Sequence, residues 1–102
     1  MSESMMKKVN VAVQVLPTSK SIDAYAVVDE AIAIINDSGV AYRVTPFETV
    51  MEGDYDRLME IVKQVQIACY KAGADKIMCY VKIQSDKHTD VTILDKMGKY
   101  DL

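Results

Sequence analysis

Residues 9–16, VNVAVQVL, alternate without a break: Val9, Val11, Val13 and Val15 fall on one side, and Asn10, Ala12, Gln14 and Leu16 on the other. That period of two predicts a strand with two different faces, closed by Pro17. Over residues 22–38 the period changes. Ala24, Val27, Val28, Ala31 and Ile35 recur at helical spacing, Ser21 stands where a helix is capped, and Gly39 where one stops. Alternation returns in VAYRVT (40–45). Pro46 and Phe47 then make a turn, and residues 48–52 read as the returning strand. Gly53-Asp54 breaks that strand, with Asp54 placed to cap a second helix carrying Leu58, Ile61, Val62, Val65, Cys69 and Ala72 on one stripe. KIMCYVKIQ (76–84) is a final strand with Ile77, Cys79, Val81 and Ile83 turned to the helices. A short helix follows over about residues 92–99.

The order βαββαβ, with amphipathic helices and two-faced strands, predicts an α+β fold of the ferredoxin-like kind. Its four-stranded antiparallel sheet carries two helices on one face, plus a short C-terminal helix. Residues 1–7 read as a frayed end and residues 8–102 as one domain, a reasonable size for a single hydrophobic core. One sheet face is left without helices. Alternation assigns to it Asn10, Ala12, Gln14 and Leu16; Ala41, Arg43 and Thr45; Thr49 and Met51; and Met78, Tyr80, Lys82 and Gln84. Such a mixture of apolar and polar groups fits neither a solvated surface nor a dry core. It predicts packing against another copy, or a small-molecule site walled by one.

Composition narrows the chemistry by exclusion. A formal net charge of −3 argues against nucleic acid or an anionic membrane as the main partner, and no apolar run is long enough to span a bilayer. Two cysteines, Cys69 and Cys79, make neither a disulfide framework nor a zinc ligand set, so the expected home is the reducing cytoplasm and no metal site is expected. His88, the single histidine, lies in a polar loop with no nucleophile in a recognisable motif. No glycine-rich phosphate loop occurs. The chain therefore reads as a non-enzyme, with no catalytic residue and no resident cofactor.

What stands out instead is TPFETVMEGD (45–54), where two carboxylates and a hydroxyl crowd the ends of one short strand. Gly53-Asp54 reads as architecture. Glu52 reads equally as a cap on a helix N-terminus or as a ligand contact, and Thr49 as a contact or as an ordinary strand residue. Tyr80, on the bare face, divides evenly between subunit packing and stacking on a ligand.

These residues carry a resemblance. VNVAVQVLP, SGVAYRVTPFETVMEGDYDRLMEIV, the strand ending VKI, and TILDKMGKY resemble the small thiamine-binding protein family of ferredoxin-like fold over roughly residues 8–100. The chain departs from the family's pattern at Thr45, at Glu48 and near Asp86. The resemblance implies a homodimer or dimer-of-dimers tetramer, assembled through the uncovered face and the sheet edges. It also implies binding, without catalysis, of thiamine or a related aminopyrimidine such as hydroxymethylpyrimidine, in storage, delivery or salvage of the vitamin. Polar partners for the ring would come from Gln14, Glu48, Thr49 and Glu52, and an apolar wall from Met51, Met78, Tyr80 and Leu16. Two rival readings share the fold: a regulatory module that senses an amino acid, and a structural protein whose bare face is consumed by assembly.

Overall fold

A computed structural model describes residues 6–101, so most of the expected frayed end over residues 1–7 falls outside the described residues. The elements are β1 (Val9–Thr18), α1 (Ala24–Asp37), β2 (Ala41–Val44), β3 (Thr49–Gly53), α2 (Tyr55–Lys71), β4 (Lys76–Gln84) and α3 (Ile93–Met97), which runs into one 3₁₀ turn at Gly98–Tyr100. All pairings are antiparallel, in the spatial order β2-β3-β1-β4. This is the ferredoxin-like α+β arrangement expected from the alternation.

The core forms between the helices and one sheet face. Val9, Val11, Val13 and Val15 of β1 meet Val27, Ala31 and Ile35 of α1 and Leu58, Ile61, Val62, Val65 and Cys69 of α2, all buried. Burying a Val, Leu or Ile side chain stabilises by roughly 1.5–3 kcal/mol, so this layer sets the register of everything above it. Asp54 caps α2 as expected, its carboxylate accepting from the Arg57 amide at 3.3 Å. The cap of α1 is Asp23 rather than Ser21. The preceding loop is organised by Ser19, whose hydroxyl accepts from the amides of Ser21 and Ile22 and donates to the Gly73 carbonyl. Gly73 has φ +111, and a Cβ there would come within 2.5 Å of Ile22 Cδ1, so only glycine lets the α1 approach pack against the end of α2.

Two further expectations are corrected. Pro17 does not end β1. It lies within the strand, opposite Ile77, where β1 has a neighbour on the β4 side alone and a missing N–H breaks no ladder. The face assigned to β3 was also inverted. Val11 pairs with Met51 and Val13 with Thr49, so Met51 and Thr49 share the helix-covered side of the valines, and Met51 is fully buried in the core. Glu48, Val50 and Glu52 have the parity of the open face. A strand with apolar neighbours at 50 and 51 has weak alternation, and a reading shifted by one residue flips every side chain. The flanking carboxylates, which must face water or a partner, were the better signal.

The open face is not bare either. After β4 the chain returns across it as a strap over residues 91–101. Val91 donates its amide to the Lys8 carbonyl and accepts from Asn10 Nδ2, both at 2.9 Å. Glu52 Oε1 accepts from the Ile93 amide at 2.7 Å, Lys96 Nζ donates to Gln84 Oε1 at 2.8 Å, and Arg43 pairs with Asp101 through both guanidinium nitrogens. That pairing holds the Asp101 carboxyl below its ordinary range. Glu52 is thus a cap, but for α3 and not for the helix that follows it in sequence.

Because Glu52 meets an amide that α3 cannot satisfy internally, Glu52→Ala should lower stability by about 1.5 kcal/mol in denaturant unfolding. Amide exchange should rise across residues 91–101 and stay unchanged in β1. Uniform exchange across both would remove the local role.

Candidate functional site

The ladder between β1 and β3 ends at Val13↔Thr49, while β1 continues to Thr18. From Gln14 onward, the β1 edge on that side has no strand beside it. In a strand, alternate residues turn both N–H and C=O to the same side. Pro17, with no N–H to give β4, marks the residues that face away from β4, so Val15 turns its backbone donor and acceptor to the free edge while Gln14 pairs with β4. The gap opens because β3 starts late: Thr45–Glu48 forms a tight turn before it. Thr45 Oγ1 donates to the Glu48 carbonyl at 2.6 Å and accepts from the amides of Phe47 and Glu48 at 3.4 and 3.1 Å. The Thr45 amide also donates to the Glu48 carbonyl. Thr45 is therefore the residue that shapes the turn.

Between this turn, α1 and the free β1 edge lies a cleft of about 100 Å³. Val28, Ala31, Ile32 and Ile35 of α1 form one wall, Val44, Pro46 and Phe47 the other, and Val13, Thr49 and Val65 the inner end, with Gln14 and Val15 along the edge. A space of that size, open to solvent on one side, is on the order of a single six-membered ring. Phe47 is 79% exposed, an aromatic side chain standing at the lip. Thr49 as a residue is 6% exposed, and its hydroxyl makes no hydrogen bond among the described residues yet is not sealed from solvent. An accessible hydroxyl at the inner end of an apolar cleft is able to bond a polar ring substituent.

Glu48 is the single ionisable side chain of the lining. Its carboxylate sits 2.9 Å from Lys82 Nζ. The cleft therefore holds a flat, apolar slot with hydrogen-bonding groups along one edge, and the Glu48 carboxylate at its border is turned to the open face and paired with Lys82. Nothing in the lining is a nucleophile with a base beside it. Among the described residues no group of three or more His, Cys, Asp or Glu could hold a metal ion. His88 lies outside the lining, in a loop where Asp86 accepts from the amides of His88 and Thr89, which lowers the Asp86 carboxyl. Burial pushes the thiols of Cys69 and Cys79 up, away from the reactive thiolate.

Of the residues singled out from sequence, Gln14, Glu48 and Thr49 come together at the cleft. Met51 lies in the core and Glu52 is engaged by α3. Met78 and Tyr80 stand on the open face of β4, about half exposed, with the Tyr80 hydroxyl 2.8 Å from Met78 Sδ. They do not join the cleft. Sequence reading passed over Phe47 and the α1 wall. Phe47, the chain's single phenylalanine, in a proline turn, was the available signal.

Comparison with known proteins gives a consistent picture. The profile of the family described as "Thiamine-binding protein" matches residues 11–101. A UPF0045 protein of Clostridium perfringens is 43% identical over 95 residues, covering 93% of this chain and 99% of the relative. Among solved structures, a domain of unknown function, DUF77, from Bacillus cereus superimposes with a TM-score of 0.90 at 41% identity, covering 97% of this chain and 95% of that one. A provisionally assigned thiamine biosynthesis/salvage protein of Thermotoga maritima follows with a TM-score of 0.81 at 30% identity, covering 92% and 99%.

Since the Thr49 hydroxyl supports no other group, Thr49→Val should change unfolding free energy by less than about 1 kcal/mol in chemical denaturation. A larger loss would mean that the hydroxyl has a structural partner.

Proposed function

This chain belongs to the thiamine-binding protein family, and from that premise we propose that it binds thiamine or its hydroxymethylpyrimidine moiety, without catalysis, in the cleft beside the free β1 edge. The observation that carries this reading is the end of the β1–β3 ladder at Thr49. An aminopyrimidine presents ring nitrogens and an exocyclic amine in one plane, which is the pattern an unpaired strand edge and a hydroxyl can meet. Its faces are apolar and match the α1 wall and the Pro46-Phe47 lip. The cleft admits one ring, so the thiazolium of thiamine lies outside, at the border formed by Glu48 and Phe47. A cation there gains from the aromatic face of Phe47. The contacts assigned are Thr49 and the free β1 edge at Val15, beside Gln14, for the pyrimidine, and Phe47 for the cation, with Glu48 bordering the slot.

The protein acts in this reading as a cytoplasmic carrier in storage, delivery or salvage, two free thiols suiting a reducing compartment. Self-association belongs to the same proposal. Leu16, Met78 and Tyr80 expose apolar surface on the open face, and Val81 and Ile83 expose more on the helix side of β4, where the helices do not reach. β4 is an edge strand, so a partner copy would cover apolar surface on both of its faces and pair its free edge.

Calorimetric titration of the purified protein should show saturable binding of hydroxymethylpyrimidine or thiamine at one site per chain, with affinity in the micromolar range typical of −8 kcal/mol, roughly. Thr49→Val should weaken it about tenfold, the worth of one hydrogen bond. No heat and no thermal shift with either compound would overturn the reading. Separately, Met78→Lys should shift the protein to a smaller species in sedimentation. An unchanged mass would remove β4 from the interface.

A further inference from the structure

Among the described residues the two most exposed large apolar or aromatic side chains are Tyr25, at 80%, and Phe47, at 79%. Single exposed hydrophobic residues are ordinary on a protein surface and call for no explanation. These two are not scattered. Phe47 stands at the lip of the cleft, and the fold brings Tyr25 to the same end of it.

The placement of Tyr25 follows from the helix. Val28, Ile32 and Ile35 line the cleft from α1. Tyr25 precedes Val28 by three positions and Ile32 by seven, the spacing that keeps side chains on one helical stripe. β1 ends at Thr18 and α1 starts at Ala24, so the first turn of the helix lies beside the last residues of the strand. That end of β1 is the stretch without β3, so Tyr25 borders the cleft where its strand wall is free. Helical side chains lean toward the N-terminus, which carries the Tyr25 ring outward along that edge and away from the packed floor.

Nothing inside the domain accounts for this ring. Tyr25 does not belong to the core, and its hydroxyl makes no hydrogen bond among the described residues. Its amide is engaged, donating to Asp23 Oδ1 at 3.2 Å. That bond has an electrostatic effect as well. The free amides of a helix N-terminus attract anions, and here a carboxylate of the chain already holds that position. No lysine or arginine lines the cleft. Its mouth is therefore bordered by two aromatic rings and a capped helix, a surface suited to a cation rather than to an anion.

We infer that Tyr25 is a second contact for the cationic ring, on the α1 side of the mouth, and that it sets a preference for thiamine over the bare pyrimidine. The inference rests on the reading of the cleft as a slot for the pyrimidine. With that ring seated against Val15 and Thr49, the thiazolium lies outside the slot. Phe47 meets it from the turn and Tyr25 from the helix, each through an aromatic face whose quadrupole is negative toward the cation. Hydroxymethylpyrimidine has no second ring, so it makes no use of Tyr25.

The test is calorimetric titration of the full chain with thiamine and with hydroxymethylpyrimidine. It compares the unaltered chain, Tyr25→Phe, Tyr25→Leu and, as a control on α2, Tyr70→Leu. Tyr25→Leu should weaken thiamine roughly two- to fivefold, the range for one exposed cation–π contact, and leave hydroxymethylpyrimidine unchanged. Tyr25→Phe, which keeps the aromatic face, and Tyr70→Leu should bind both compounds as the unaltered chain does. Equal loss of both compounds in Tyr25→Leu would mean that the residue shapes α1 instead, and would overturn the inference. So would unchanged thiamine affinity in Tyr25→Leu, or a loss in Tyr25→Phe as large as that in Tyr25→Leu. These failures leave the reading of the cleft standing. Binding of neither compound by the unaltered chain would remove that reading, and this inference with it.

Discussion

Much of this structure depends on where one ladder stops. Val13 and Thr49 are the last paired residues between the two central strands, and beyond them β1 continues alone on that side. Had β3 begun a few residues earlier, the ladder would have closed over Gln14 and Val15 and left no edge to recognise anything. The start of β3 is set by the Thr45 hydroxyl, which uses both its donor and its acceptor capacity to hold the turn ahead of it. A single side chain in a turn thus decides whether that edge of β1 stays open.

Glu48 stands at the junction of two environments. Toward the helices it borders an apolar slot, and toward the open face its carboxylate meets Lys82. Its amide and carbonyl are both held by Thr45, so the turn that delays β3 also commits this carboxylate to the open face.

The fold was legible because hydrophobic valines on β1 alternate without interruption and because each helix shows a stripe closed by glycine. The site was legible only in part. Thr49 and Glu48 were found as polar residues out of place in a short strand, but their faces were misjudged, since Val50 and Met51 gave the parity no clear sign. Glu52 attracted attention for the right reason, a carboxylate needing a partner. That partner, the Ile93 amide, is 41 positions away and invisible to any local pattern. Asn10 is the sharper case. In sequence it is one polar position in an alternating strand, and only the strap over it converts it into a buried amide with one satisfied end.

That strap has a consequence for how the domain assembles. The bond from Asn10 to Val91 joins residues 81 positions apart, and the amide of Val91 returns to Lys8. Asn10 also faces Gln84 across the β1–β4 ladder, almost as far away in sequence, so once that ladder has formed the strap has little further loop entropy to overcome. Only the short loop from Gln84 to Val91 has then to turn back. The strap is a rider on the edge strand: whatever holds β4 against β1 also brings the cover onto Asn10 and Val50, and a disturbance of that edge reaches the open face at both ends of the chain's path across it.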